Sequence, residues 1–559
     1  MQRVYDAIVV GSGITGGWAA KELTEKGLET LVLEAGGPID PDRDYVEHVQ
    51  PWQQRFRGLR DRARQSRDQP IQKNCYACDE WSSRFFVNDR ENPYTYAEDM
   101  PFHWIRGRHV GGRSIMWARQ TYRWSDLDFE ANTKEGIGVD WPIRYHDIEP
   151  WYDYVEEFAG ISGQAEGLPH LPDGKFLPPM ELNCAERVVK EALVGKFADE
   201  RTLTIGRCAV LTKEHNGRAP CHYCGPCHRG CITRSYFSSL NATLPAARAT
   251  GRLTLRPHSV VHSLVYDEGL DRITGVRIID GQTHEAFEVP ARLVFLCASA
   301  LESTRILLNS KTARFSEGLA NSSGTLGRFL MDHVMGGGAE GTIPGHEDRV
   351  PYGQRPNGLY VPRFRNVKTK SPFLRGYGFQ GGGFRERWEH GLETPGFGAD
   401  FKHALRSYGP WKLRLYGFGE CLPHAENRVS LDPEVVDRWG IPALRVDMRW
   451  GENERALLKD MALTAAEILE VAGARTIETF VEDNPPGLTI HEMGTARMGR
   501  DPKSSVLNGF NQSHDVPNLF LTDGACMTSS SCVNPSITYM ALTARACEYA
   551  VKQMDLGHI

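Results

Sequence analysis

The stretch from Tyr5 to Gly37 admits few folds. Ala7 to Val10 form a short apolar, β-branched run of the kind that fills a buried parallel strand. Gly11-Ser12-Gly13-Ile14-Thr15-Gly16 follows at once and turns the chain into a helix that runs to about Lys26. Gly27 ends that helix, Thr30 to Leu33 read as a second strand, and Glu34-Ala35 stand at its tip. Strand, glycine turn, helix, strand and acid in that order are the βαβ unit that holds a dinucleotide. Glycines let the backbone approach a pyrophosphate. The helix N-terminus offers free N–H groups and a positive dipole end. An acid about 20 positions on accepts ribose hydroxyls. The fold class expected is therefore α/β, with a Rossmann-like domain at its centre.

At 559 residues the chain can build two cores. A net charge of −6 argues against nucleic acid or an anionic membrane as the main partner. No apolar run approaches the ~20 residues that span a bilayer. Signal-peptide anatomy is missing, since the folded core begins at Tyr5, so the expected location is cytoplasmic, or periplasmic by export with a partner subunit.

Residues 46–96 read as an excursion. It contains the arginine-rich RFRGLRDRARQSRD, which predicts a solvated face, and Cys75-x-x-Cys78, which reads as two loop thiols or a second metal or redox pair. In Trp104 to Trp124, Gly111-Gly112 can bring backbone close to a flat ring or a phosphate. Helices are expected over Trp141–Tyr154, Val188–Phe197 and Leu240–Ala249. From Arg252 on, Leu253–Leu255, Val260–Tyr266, Gly275–Ile279 and Phe287–Val289 predict a β-meander. Leu293–Cys297 is a further buried strand, and a helix follows over Ala298–Leu308. Alternation in Leu413–Phe418 and Leu444–Trp450 predicts an antiparallel sheet, and Glu454–Val471 an amphipathic helix. Asn518–Thr522 is a last strand, with Asp523-Gly524 at its end and a helix over Pro535–Val551. The expected division is a dinucleotide domain (1–45, 97–135, 206–334, 488–559) and a substrate domain (136–205, 335–487).

Thirteen cysteines are too sparse for a disulfide scaffold of this size. Cys221, Cys224, Cys227 and Cys231 nevertheless crowd into eleven residues, with Cys208 upstream. Their C-x2-C-x2-C-x3-C spacing matches the bacterial ferredoxin run, although Ile232 stands where that run has Pro. A 4Fe–4S or a 3Fe–4S cluster is expected, with Cys208 or no residue as the alternative fourth ligand. Tetrahedral zinc and bare thiols are the rivals.

Together, GSGITGGWAAKEL at Gly11, GGRSIMW at Gly111, IHEMGTARMG around His491, LTDGA at Asp523 and VNPSITYMALTARA at Asn534 resemble the glucose–methanol–choline (GMC) oxidoreductases. The resemblance covers nearly the whole chain. It implies FAD rather than NAD, wedged between a Rossmann-like domain and a second domain built on an antiparallel sheet, as in p-hydroxybenzoate hydroxylase. WPIRYHDIEPWY, GRFLMDH at Gly327, ENRVSLDP at Glu426 and Trp117 are similar to the branch of pyranose oxidases and bacterial glucoside 3-dehydrogenases. Met116 stands where pyranose oxidases carry the His bonded to flavin, which implies non-covalent FAD. The implied cofactor contacts are Gly11, Ser12, Gly13, Ile14, Thr15, Gly16, Glu34, Ala35, Arg106, Gly111, Gly112, Ser114, Met116, Trp117, Val260, Val261, Ala298, Asp523, Gly524, Asn534, Pro535 and Ser536.

Alcohol oxidation needs a base for the hydroxyl proton and an acceptor for the hydride. His491 lies in a Gly-flanked loop, and a neutral imidazole suits proton abstraction. Asn534 is held extended by Pro535 at a helix start. The pair matches the family's catalytic pair. His103, His333, His424 and His514 are alternative bases, and Gln380 and Glu420 are candidates to face sugar hydroxyls or ordinary strand positions. The implied activity is oxidation of a sugar or glucoside hydroxyl, C3 favoured, by hydride transfer to flavin N5. Electrons would leave through the cluster to a small subunit and a cytochrome or other acceptor. The alternatives are a pyranose oxidase using oxygen, a dehydrogenase acting at C1 or C2, and an idle electron-transfer flavoprotein subunit. His491 and Asn534 count against the last, and the cysteine run against the oxidase.

Overall fold

The computed structural model describes residues 5–387, 390–391, 394–482 and 484–559. The strand Tyr5–Val10 is buried from Ala7 onward, as its unbroken apolar run requires. It pairs in parallel with Thr30–Leu33 on one side and Ala286–Leu296 on the other. Leu253–Arg256 and Leu519–Leu521 extend this parallel core outward. Helix Ile14–Glu25 starts directly at the glycine turn and packs on the last helix, Ser536–Asp555.

Two expectations change here. Phe287–Val289 and Leu293–Cys297 are one continuous strand, Ala286–Leu296. Its first half pairs antiparallel with Arg272–Asp280, and its second half enters the parallel core. Pro290 sits at that change and reads in sequence as a breaker, yet a strand can carry Pro where its ladder changes partner. Leu253–Arg256 also leaves the expected meander and pairs with Thr30–Leu33.

The second sheet has six strands, in the order Arg475–Val481, Val334–Ile343, Trp411–Gly419, Tyr377–Arg385, Leu359–Val361, Thr204–Ile205. Its pairings are antiparallel. Helix Glu452–Val471 covers one face. Along Trp411–Gly419 the buried positions alternate with half-buried ones. The buried set faces the helix, and Tyr416 and Phe418 on the other set face a cavity. Leu444–Trp450, expected in this sheet, lies instead on strand Pro442–Asp447 and the residues after it, and that strand pairs with Arg428–Val436 and Thr95–Tyr96. Alternation identifies a strand but does not name its partner.

Candidate active site

A cavity of about 820 Å³ lies where the parallel strands end and the six-stranded sheet begins. Gly11, Ser12, Gly13, Ile14, Thr15, Glu34, Ala35, Arg106, Gly112, Ser114, Met116, Trp117, Val260, Val261, Ala298, Asp523, Gly524, Asn534 and Ser536 all line it. Three expected contacts do not. Gly16 is packed so closely on the first turn that an added Cβ would lie 1.9 Å from the Gly11 carbonyl oxygen. Gly111 holds a left-handed turn (φ +92°) against Leu240, and Pro535 caps the last helix. These residues shape the turns from behind.

The cradle is built from two glycine turns that meet. A Cβ on Gly112 would come within 3.0 Å of the Gly13 Cα. Ser12 ties them to the strand tip: its Oγ accepts from the Gly111 N–H at 3.0 Å and donates to Glu34 Oε2 at 2.5 Å. Glu34 Oε1 accepts from the Gly36 N–H at 2.8 Å. Burial pushes the Glu34 carboxyl above its ordinary range. In the wall, Arg106 Nε, Arg108 Nη1, Glu302 Oε1 and the Tyr539 hydroxyl are buried without a hydrogen-bond partner in the protein, although Glu302 Oε1 lies 3.8 Å from Arg108 Nη2. Such groups are costly unless something polar meets them. Backbone cradle, helix N-terminus and unpaired polar wall together fit a dinucleotide. Asp523, buried near the cradle, accepts from the Ala525 N–H at 3.0 Å and from the Ser303 hydroxyl, and burial lifts its carboxyl to about 6.

His491 lines the same cavity. Its Nδ1 lies 2.9 Å from Nδ1 of His333, with the two rings nearly perpendicular. His333 is fully buried, and its Nε2 lies 3.1 Å from the Ser530 carbonyl oxygen. A carbonyl only accepts, so hydrogen-bond logic places the His333 proton on Nε2. Burial holds that ring neutral, pulled down to about 4. Its Nδ1 is then a bare acceptor, and His491 must donate from Nδ1. Burial first, then His333 and Arg113, pull His491 well below the usual range. A neutral His491 protonated on Nδ1 carries its lone pair on Nε2. Asp332 fixes the loop by accepting from the backbone N–H groups of Gly487 (2.8 Å) and His491 (3.1 Å) and from the Thr489 hydroxyl. Beside it, Arg113 forms a 2.8 Å ion pair with Glu492.

Asn534 shares the cavity, and its Oδ1 accepts from Gln380 Nε2 at 2.6 Å. With that oxygen engaged, the Asn534 amide group keeps its N–H donors free for a ligand. Glu420 does not reach the cavity. It is fully buried, 3.7 Å from Arg375, because it lies one residue past the strand end at Gly419. His103, His424 and His514 also lie outside the cavity lining. Sequence reasoning left His333 among the alternatives and missed Asp332 and Arg113. The one available signal was the Asp332-His333 pair directly before strand Val334–Ile343.

The four crowded cysteines lie on one loop, and all are free. Among the described residues, no three His, Cys, Asp or Glu side chains are gathered tightly enough to hold a metal. Cys221 and Cys227 pack against the cluster that holds Cys208 and Cys231. Cys221 Sγ accepts from the Tyr223 N–H at 3.4 Å, Cys231 Sγ meets Thr233 Oγ1 at 3.3 Å, and Cys208 and Cys231 pack with Met180, Ile205, Val210 and Tyr236. Burial pushes Cys221 up to about 11 and Cys208 and Cys224 to about 12. The charge of Arg119, a cavity-lining residue, acts on Cys208 and Cys227. Cys75 and Cys78 are buried and unbridged, and Cys75 lines the cavity. No helix among the described residues is long and apolar enough to cross a membrane.

Two family models match the chain, both described as GMC oxidoreductase: one over residues 5–335 and one over 423–543. The 2-methyl-1,2-propanediol dehydrogenase of Mycolicibacterium austroafricanum is 30% identical over 98% of this chain and 96% of its own. The fructose dehydrogenase large subunit of Gluconobacter japonicus is 26% identical, covering 99% and 98%. Paromamine 6'-oxidase of Streptomyces fradiae is 25% identical, covering 100% and 93%. Among solved structures, pyridoxine 4-oxidase from Mesorbium loti superposes with a TM-score of 0.62 at 20% identity, covering 98% of this chain and 99% of that one, a likeness of fold. The matched segments hold the parallel sheet, the glycine cradle, His491 and Asn534, and the chain belongs to the GMC oxidoreductases, the FAD-dependent family that oxidises CH–OH groups.

Proposed function

We propose that the protein is an FAD-dependent dehydrogenase that oxidises a secondary hydroxyl of a sugar or glucoside, at C3 by preference, to a ketone. The observation that carries the reading is the convergence of His491, with its lone pair set on Nε2, and Asn534, held by Gln380, on one cavity. FAD in the glycine cradle supplies the hydride acceptor. His491 Nε2 takes the hydroxyl proton, and the Asn534 N–H steadies the oxygen as it becomes negative. Tyr416 and Phe418 offer flat apolar faces and Gln380 a polar one, a mixture that suits a pyranose ring. Met116 offers no linking nitrogen, which supports non-covalent FAD. Relatives named for sugars and polyols support the substrate class.

The test is anaerobic flavin reduction by methyl glucosides, with NMR of the product. A 3-keto product is expected. A lactone, or no pyranoside turned over, overturns the substrate assignment. His491→Ala should slow reduction ~10²–10⁴-fold while FAD stays bound, and near-normal reduction would remove it as the base. Several relatives are named oxidases, so oxygen uptake is measured in parallel: rates matching a dye acceptor would make this an oxidase.

The cysteine spacing and the nearness of Arg119 both to that loop and to the cavity support a further assignment. Cys221, Cys224, Cys227 and Cys231 would close on an iron–sulfur cluster. Iron and acid-labile sulfide should copurify under anaerobic conditions. Zinc, or bare thiols alone, would end that assignment.

A further inference from the structure

The arginine-rich excursion is the least explained feature of the molecule. Between residues 55 and 67 it holds six arginines and one acid, Asp61, in a chain of net charge −6. Arg55, Arg57, Arg60, Arg62 and Arg67 are exposed. The same surface carries large apolar side chains that a solvated loop would not need: Trp52 is 72% exposed, Leu59 73% and Phe56 49%. Phe56 and Arg57 both adopt left-handed backbone (φ 52° and 53°), a conformation that costs a non-glycine residue about 1–2 kcal/mol. Basic residues around exposed aromatic and aliphatic ones have the composition of a binding surface.

Its position in the fold says what it serves. The Asp61 N–H donates to Glu80 at 2.9 Å, Arg64 pairs with Glu80, and Arg60 donates to the Lys73 carbonyl at 3.2 Å. The segment so gripped contains Asn74, Cys75, Tyr76 and Ala77, which line the cofactor cavity. Tyr76 stands in that wall close to Arg119 and Cys227, so the gripped segment touches both the cavity and the cysteine loop. The cysteine loop is tied to the same excursion. His228 and Arg229 bind Asp79 at 2.8 and 2.6 Å, and the Val46 N–H donates to the Arg229 carbonyl at 3.1 Å.

We propose that this surface, centred on Trp52, Phe56 and Leu59 and ringed by Arg57, Arg60 and Arg62, is the docking face for an acidic one-electron acceptor protein. The inference rests on the dehydrogenase reading above. Each alcohol oxidised to a ketone yields two electrons and two protons. Two acceptor molecules take one electron each, and the protons go to water. The arginine ring supplies electrostatic steering for an acidic face, and the apolar centre supplies the dry contact. A lipid surface would also attract such a patch. The protein acceptor is favoured because the patch is fastened to the segment that lines the cavity and, through the same excursion, to the cysteine loop.

The experiment follows the full-length holoenzyme with two acceptors, a small uncharged dye and an acidic c-type cytochrome, at low and high salt. With Arg55→Glu, Arg57→Glu and Arg62→Glu combined, cytochrome reduction should fall on the order of 10-fold or more and lose its salt dependence. Dye reduction should stay at the native rate, which also shows that the variant is folded. Trp52→Ser with Leu59→Ser should slow the cytochrome and spare the dye. Equal cytochrome rates in native and variant proteins, or a native preference for a basic cytochrome, would overturn the proposal. So would arginine-dependent binding of the native protein to anionic phospholipid vesicles without effect on the cytochrome. No dye turnover with any sugar would instead count against the dehydrogenase reading.

Discussion

The proton on His491 is placed by a residue that never reaches the cavity. Because the Ser530 carbonyl can only accept, His333 presents a bare Nδ1, and His491 is turned to offer Nε2 forward. His333 is therefore a positioning residue, and His333→Leu should lower kcat with little change in KM. A mis-set imidazole tautomer can cost up to ~10⁴-fold, and the loss expected here lies between about 10-fold and that limit. His333→Asn, whose side-chain oxygen can accept from His491 Nδ1–H, should recover part of the rate. The pH profile of flavin reduction separates this from a packing defect. The leucine variant should shift the limb that reports His491, because burial and the His333 contact both hold that ring below its usual range. An unchanged limb with a lower rate would leave His333 a purely structural role. Gln380 acts likewise on Asn534 through its 2.6 Å bond. Gln380→Ala should cost activity in the native background and nothing further once Asn534 is already Ala, a cycle that isolates the pair.

Among the elements, the second sheet shows how glycines set a distance. Gly417 and Gly419 on strand Trp411–Gly419 let Met461 of the covering helix descend onto the strand: a Cβ on Gly417 would lie 2.5 Å from Met461 Cγ and Sδ. Gly417→Ala should therefore cost ~1–3 kcal/mol by overpacking, and Met461→Ala in the same chain should return part of it. Additive losses in urea unfolding would refute the contact. The same strand shows what was legible beforehand. Its alternation was plain in Leu413–Phe418, and so was the amphipathic helix, but the sequence held no sign that Pro442–Asp447 would pair elsewhere. The glycine turn at Gly11 was readable to the residue because three demands meet there: positive φ at Gly11 (+95°), close packing at Gly16 and an open approach at Gly13. Of the candidate site, the residues named by motif gather at one cavity. Those that act from behind, Asp332 and His333, end the GRFLMDH segment, but that segment marked only the branch, since their work is set by neighbours distant in sequence. The cysteine run is the reverse case, a clear spacing in which Cys221, Cys227 and Cys231 share one apolar cluster but, among the described residues, do not converge tightly enough to hold a metal.

At the scale of the whole molecule, Glu420 marks the junction on which both sheets and the catalytic segment depend. It follows strand Trp411–Gly419 directly. Next to it, Cys421 exchanges hydrogen bonds with Ser530, both at 3.1 Å, in the stretch that leads to Asn534. Arg375 stands 3.7 Å away and reaches Asn132 at 2.6 Å, and Arg363, Asp128 and Glu135 add their charges. Neither Glu420 oxygen has a hydrogen-bond partner in the protein. Burial outweighs the two arginines and lifts the carboxyl to about 7. Below its ordinary value near 4.5 both folded and unfolded chains hold this proton. Between there and about 7 only the folded chain does, so this group makes stability fall as pH rises through that window. A shift of this size is worth ~3 kcal/mol at most, since each pKa unit corresponds to about 1.4 kcal/mol. Glu420→Gln keeps the shape and removes the titration. The variant should match the native protein near pH 4.5 and exceed it in urea midpoint near pH 8, with a flatter profile between (both pH values roughly bracketing the titration). Native and variant curves that run parallel from acid to alkaline pH would show that Glu420 does not hold its proton in the fold. The 3.7 Å contact with Arg375 would then be an ion pair, and Glu420→Gln would be destabilising at every pH, because it leaves the buried guanidinium with Glu135, 2.9 Å away, in place of two counter-charges.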